Sequence, residues 1–254
     1  MRNHYKDQIV WIIGASSGIG SALARELSMH GAILALSARR NDELEILKNE
    51  LGEQNKVFAL DITDVEMTMR TAQAIRVAFG RIDRVIFLAA AYVPMEINDM
   101  DIAVAKGIID TNVTGALNVV HAVLPILKLQ KNKGQLALCA SVAGYIGLPG
   151  GQPYSATKAA IINLAESLYA ECRDVVDIKL INPGFVRTPL TDKNSFQMPS
   201  IIEPAQAARE ISHGLLSRRF EIHFPRRFTL FLKLLRLLPY GLSLNLTQRI
   251  KMDS

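Results

Sequence analysis

Five apolar residues, Ile9 to Ile13, lead straight into Gly14-Ala-Ser-Ser-Gly18-Ile-Gly20, and Ile19, Leu23 and Leu27 then recur at helical spacing. No other feature limits the fold so tightly. A strand that is apolar along its whole length is covered on both faces, as in the middle of a parallel sheet. Glycines let the backbone turn sharply and come close to a ligand. A helix that opens directly after the turn offers free N–H groups and the positive end of its dipole to a phosphate. The spacing is G-x-x-x-G-x-G, not the commoner G-x-G-x-x-G. Three glycines and two serines in seven residues are more than a structural turn alone requires.

The rest of the chain repeats the pattern. Short apolar runs at 33–36, 57–60, 85–88, 136–139, 178–181 and 221–224 read as strands. Helices are predicted from the glycine turn to Gly31, behind Asn41 or Asp42 as cap, and over 64–79, 101–129, 154–172 and 204–217. The class is α/β, a doubly wound parallel sheet with helices on both faces. No internal repeat, low-complexity tract or long linker divides the 254 residues. One domain over 1–225 with an appendage over 226–254 is expected. The polar N-terminus meets its apolar run without a small-residue cleavage pattern, so no signal peptide is expected. Cys139 and Cys172 read as buried thiols of a reducing, cytoplasmic compartment.

The end of the second strand bears on the ligand. A site for NAD places an acid there, against the ribose 2′-hydroxyl. This chain has Ser37-Ala38-Arg39-Arg40. A guanidinium can fork onto a 2′-phosphate and stack on adenine, so NADP(H) is the expected cofactor. Arg39 is the first candidate and Arg40 the second, while Asp42 reads as a helix cap.

Further on, Pro153-Tyr154-Ser-Ala-Thr-Lys158 opens a helix. The i, i+4 spacing sets phenol and ammonium on one face. A free tyrosine, with a pKa of about 10, is a poor base at neutral pH, and a nearby cation is expected to lower it. Ser141 closes a predicted strand at the edge where ligands bind in open α/β sheets. Singly these residues are commonplace; in this order behind a dinucleotide turn, with Asn112 in Thr-Asn-Val-Thr-Gly between, they are not.

As a set, these motifs resemble the short-chain dehydrogenase/reductase family, in its single-domain branch, over about positions 8 to 190. The resemblance implies a Rossmann-type sheet and hydride transfer between NADP(H) and a small-molecule carbonyl or alcohol. It implies cofactor contacts at Gly14, Ser16, Ser17, Gly18, Ile19 and Gly20, at Asp61 and Ile62 beside adenine, and at Ala89 and Ala90 beside the ribose. It places Pro183, Gly184, Val186 and Thr188 of the Asn182-to-Thr188 loop around the nicotinamide. Asn112, Ser141, Tyr154 and Lys158 match the catalytic tetrad. Tyr154 is then the general acid or base and Ser141 the donor to the developing alkoxide. Lys158 binds the ribose and tunes Tyr154; Asn112 holds a relay water. Asn112, Tyr154 and Lys158 also count as cofactor contacts. The chain departs from the family at Ile13, where threonine is frequent, and at Ala89-Ala90-Ala91, where Asn-Ala-Gly is usual. The second departure removes side chains that brace the turn. Pairing of the helices at 101–129 and 154–172 implies a homodimer or higher homo-oligomer. A non-catalytic NADP(H) sensor on the same fold is the rival reading. A nucleotide-sugar epimerase is disfavoured by length.

Other residues carry less. His4, His30, His121, His213 and His223 show no metal-ligand spacing, and no metal is expected. His121 reads as packed, His223 as a strand-surface residue and Trp11 as core. The net charge is +5, yet residues 218–254 hold eight cations against two acids, which leaves −1 for the body. Within that tail Thr229, Lys233, Arg236 and Tyr240 form a narrow polar stripe among leucines and phenylalanines. The stretch between Pro225 and Pro239 is shorter than the ~20 residues a spanning helix needs. A pocket roof, a subunit interface and peripheral contact with a membrane all suit it; no nucleic-acid partner is expected. The tail also suggests an apolar substrate.

Overall fold

Alternation along β1 (Ile9–Ile13) divides the core of the protein, here a computed structural model that describes residues 4–147 and 149–249. Val10 and Ile12 enter one layer with Leu23, Leu34 and Ile211. Trp11 and Ile13 enter the other with Phe87, Val119, Leu138 and Ile161. Trp11 is fully buried and donates through Nε1 to Ser37 Oγ at 2.9 Å.

Around β1 lie β2 (Ile33–Ser37), β3 (Lys56–Val57), β4 (Arg84–Phe87), β5 (Gln135–Cys139), β6 (Asp177–Pro183) and β7 (Glu221–Phe224). The sheet order is β3-β2-β1-β4-β5-β6-β7 and every pair is parallel, the Rossmann-type arrangement. On one face pack α1 (Gly18–Met29), α2 (Asn41–Leu51) and α7 (Pro204–Leu215). On the other pack α3 (Val65–Phe79), α5 (Gly115–Leu129) and α6 (Tyr154–Cys172). Chain order reverses between β1 and β4, so their carboxyl ends open a crevice.

Several local expectations are corrected. The third strand pairs only over Lys56–Val57; Phe58 and Leu60 continue as single N–H donors to the carbonyls of Leu36 and Ala38. Arg40, not Asn41 or Asp42, occupies the cap position of α2, and Asp42 lies in its first turn, where its charge suits the dipole. The helix predicted over 101–129 is α4 (Ile102–Ile109), a π turn at Asp110–Thr114, and then α5. Among the described residues this run, Ile102–Leu129, is the helix long and apolar enough to cross a membrane; half of its apolar window is buried in the protein. His121 is exposed, and His223 is half-buried rather than on the surface. Both cysteines are free and buried. Beyond β7 come α8 (Arg226–Leu237) and a second helix, α9 (Tyr240–Arg249), while Lys251 and Asp253 of the tail lie outside the described residues.

Candidate active site

The glycine turn is shaped by close approach. Gly14 sits at φ +97°, and a Cβ there would lie 2.6 Å from the Ala89 nitrogen. A Cβ on Gly20 would lie 2.0 Å from the Gly14 carbonyl oxygen. The turn is thus clamped between α1 and the chain leaving β4, and the N–H groups of Gly14 and Ala15 tie it to the Ser37 carbonyl at 2.7 and 3.1 Å.

That crevice holds a cavity of about 310 Å³. The glycine turn lines one end with Ser16, Ser17 and Ile19, together with Arg39, Arg40, Asp61 and Ile62. Ala89 and Ala90 line the middle. Ser141, Tyr154 and Lys158 line the other end with Pro183, Gly184, Val186 and Thr188. Of the site residues predicted from sequence, Asn112 alone stays off the wall, where its neighbour Thr111 stands instead. Cys139, Leu190 and Thr191 join the wall without having been singled out.

A wider cavity of about 950 Å³ opens at the opposite edge of the sheet. Most of its charges are already engaged. Arg81 pairs with Asp83, Lys179 donates to the carbonyls of Ser217 and Arg219, and Arg84 donates to Gln8, Gln135 and the Leu215 carbonyl. It brings no nucleophile or acid–base pair together, so the smaller crevice is the chemical one.

Within the crevice, α6 carries phenol and ammonium on one face. Lys158 is almost fully buried; its Nζ donates to the Cys139 carbonyl at 2.9 Å and lies 5.4 Å from the centre of the Tyr154 ring. Tyr92 crosses Tyr154 edge-on at 5.0 Å and donates through its hydroxyl to Asn194 at 2.7 Å. Ser141 Oγ accepts from the Ala143 N–H at 3.1 Å and donates to the Pro183 carbonyl at 3.5 Å, and it lies near enough to the Tyr154 phenol to act on its proton.

The lowered phenol expected for Tyr154 is not what this environment gives. Burial pushes the phenol well above its usual value, the Cys139 sulfur adds to the rise, and the Ser141 hydroxyl pulls against both. Burial likewise pushes the Lys158 ammonium down, with Cys139 opposing. Desolvation outweighs the Ser141 hydrogen bond, and the phenol holds its proton at neutral pH.

Asn112 acts as a brace. Its Oδ1 accepts from the Ala91 N–H at 2.7 Å, and its Nδ2 donates to the Ala91 carbonyl and to Thr157 Oγ1, each at 3.0 Å. Both amide protons are spent inside the protein, so the side chain has none to give a relay water. The loop that lacks Asn-Ala-Gly is held from the π turn instead.

The basic end has its own order. Arg40 donates to Ser16 Oγ at 3.0 Å and Ser17 Oγ at 3.2 Å, and pairs with Glu43 at 2.6 Å. Arg39 lies on the same wall and helps hold the Asp61 carboxyl below its usual range, after the stronger hydrogen bond from the Thr63 N–H. A glycine turn that a Cβ would fill, two guanidinium groups and a carboxylate along one groove fit a dinucleotide. Among the described residues no cluster of three metal-ligating side chains occurs.

Comparison with known proteins agrees. The short chain dehydrogenase family model matches residues 8–198. An uncharacterised oxidoreductase of Myxococcus xanthus is 33% identical over 232 residues, covering 90% of this chain and 91% of that protein. The 11-beta-hydroxysteroid dehydrogenase 1A of Arabidopsis thaliana is 32% identical over 212 residues, covering 82% of this chain and 60% of that one. A short chain dehydrogenase/reductase from Burkholderia phymatum, crystallised with NAD, has the same fold: TM-score 0.81, 21% identity and 98% coverage of both chains.

Proposed function

The chain belongs to the short-chain dehydrogenase family of oxidoreductases acting on CH–OH groups, and we propose that it exchanges a hydride between NADP(H) and the carbonyl or secondary alcohol of an apolar molecule. The observation that carries this reading is the meeting of Ser141, Tyr154 and Lys158 at one end of a crevice whose other end is the glycine turn. A bound nicotinamide supplies the hydride. The protein's own part is proton and position. Tyr154, protonated by its burial, donates to the carbonyl oxygen in reduction and takes the proton back in oxidation. Ser141 hydrogen-bonds the same oxygen as charge develops on it. Lys158, fixed by the Cys139 carbonyl, presents its ammonium beside the Tyr154 ring, where it would hold the nicotinamide ribose.

NADP(H) is favoured by Arg39 and Arg40 on the wall and by Arg40 already resting on Ser16 and Ser17, beside the phosphate-binding turn. An apolar substrate is favoured by an aromatic cluster next to the crevice wall: Phe185 follows the wall residue Gly184, and its ring lies 5.7 Å from Phe196 and 5.9 Å from Phe228. The domain is taken as 1–225 with 226–254 as its appendage, and a homodimer is the expected assembly.

A screen of ketones of graded chain length, with NADPH and NADH side by side, tests the reading. Faster turnover with NADPH, rising with chain length, supports it. Arg39→Ala/Arg40→Ala should then lose most of the NADPH preference, at about 10-fold for each 1.4 kcal/mol of lost contact. Better turnover with NADH would reverse the cofactor choice. Tight NADPH binding with no turnover on any ketone would favour the sensor.

A further inference from the structure

The two C-terminal helices bury several polar residues and leave most of their leucines out, although Leu232 and Leu235 of α8 point into the core. In α8 the buried Thr229 meets His223 Nδ1 at 2.6 Å, and Lys233 turns back to Glu221. Glu221 is held in turn by Tyr145 and by Asn182. Half of the polar stripe legible in the sequence, Thr229 and Lys233, therefore faces the protein, while Arg236 and Tyr240 are exposed. Among the described side chains of α9, the buried ones are Ser243 and Thr247. Solvent instead meets Leu234 at 61% and Leu237 at 81% exposure. At about 100° per residue, Arg226, Arg227, Leu230, Phe231, Leu234 and Leu237 share an arc of about 140°. No acid occurs between Glu221 and Asp253.

We infer that this face seats the protein on an anionic bilayer surface. The inference rests on the apolar-substrate reading above and extends it. A soluble protein rarely leaves so continuous an apolar surface to water, and the Lys233–Glu221 pair keeps α8 from rolling it inward. Helices of 12 and 10 residues are too short to span a bilayer but suit its interface. Charge selects the occupant. A two-fold contact between copies would set this surface against itself, arginine facing arginine with no acid between. Anionic headgroups complement the same arginines. The leading end of α8 also borders the crevice: Phe228 comes within 3.1 Å of where a Gly184 Cβ would stand. A substrate dissolved in the membrane would reach the site from that side.

The test is flotation of the full chain with phosphatidylcholine vesicles, with and without phosphatidylglycerol. The protein should float with the anionic vesicles and be released by about 0.5 M sodium chloride, which shortens the reach of charge to a few ångströms. Leu230→Gln/Leu234→Gln/Leu237→Gln and Arg226→Gln/Arg227→Gln should each float about tenfold less or worse, while both still reduce a small water-soluble ketone. Wild-type protein left unbound by anionic vesicles overturns the proposal, as does undiminished flotation of either variant. Should a variant misfold, the vesicle-charge and salt dependence of the wild type decides. Self-association abolished by the leucine variant, without vesicle binding, assigns the face to a second copy and also overturns it. Absence of turnover in every form, with flotation intact, would sink the oxidoreductase reading and leave this one standing.

Discussion

Four influences compete over the proton of Tyr154: burial, the Cys139 sulfur and the Tyr92 phenol, which raise its pKa, and the Ser141 hydroxyl, which lowers it. Burial wins, and a sign follows for pH. Reduction needs the protonated phenol, and a raised value extends the protonated range upward. Reduction with saturating NADPH should hold through neutral pH and fall only on the alkaline side of about 10. Oxidation, which needs the phenolate, should rise over the same range. A reduction profile that breaks near neutrality and disappears in Tyr154→Phe would show the burial effect to be overridden. Ser141→Ala should lower turnover by about 10²-fold, as loss of one oxyanion donor does, and single-turnover rates would check it. Tyr154, Lys158 and Ser141 were legible because spacing along a helix and position at a strand end are local properties. Tyr92 and the Cys139 carbonyl were not, because each reaches α6 across a distant stretch of chain. The direction of the Tyr154 shift is not legible, because the sequence shows the cation but not the desolvation.

At the scale of elements, two polar devices hold the site in place. Asn112 bridges the π turn to Ala91 and Thr157. Asn112→Ala strands the Ala91 N–H and carbonyl and should cost about 1–3 kcal/mol in urea unfolding. Cleavage by protease in the loop after β4 should quicken with it; an unchanged midpoint would show water filling the gap. The helix over 101–129 was legible from its apolar period, but its π turn was not. A wider turn costs nothing visible in composition and is fixed by those long-range amide bonds. The second device is Glu221. Burial raises its carboxyl, but Lys233, Tyr145 and Asn182 outweigh it and hold the value below the usual range. A carboxyl lowered by folding stabilises above its unfolded value, and that stability is lost as pH falls through the folded one. Acid unfolding of wild type should therefore begin below pH ~4.5. Glu221→Gln should lose about 2 kcal/mol at neutral pH and show a shallower acid limb, read by circular dichroism. Equal acid limbs would remove Glu221 from the account.

Over the whole molecule, the parallel sheet and its order place every part of the crevice at one edge. This was largely legible, because fully apolar strands separated by helices leave few other arrangements. The glycine turn is the keystone: Gly20→Ala drives a Cβ against the Gly14 carbonyl. It should weaken NADPH binding and stability together. The tail was legible in its period but not in its orientation. A stripe in the sequence tells which residues share a face, not whether that face meets protein or solvent; Thr229 and Lys233 turned inward because His223 and Glu221 of β7 offered them partners. The central claim is that one proton donor and one bound nicotinamide converge on a single carbonyl. Its most direct measurement is NADPH-dependent reduction of an apolar ketone by wild type and Tyr154→Phe, with NADPH affinity of each measured by fluorescence. Turnover in the wild type, a drop of about 10²- to 10⁴-fold in the variant and matched affinities are expected. Equal turnover in the two proteins would contradict it.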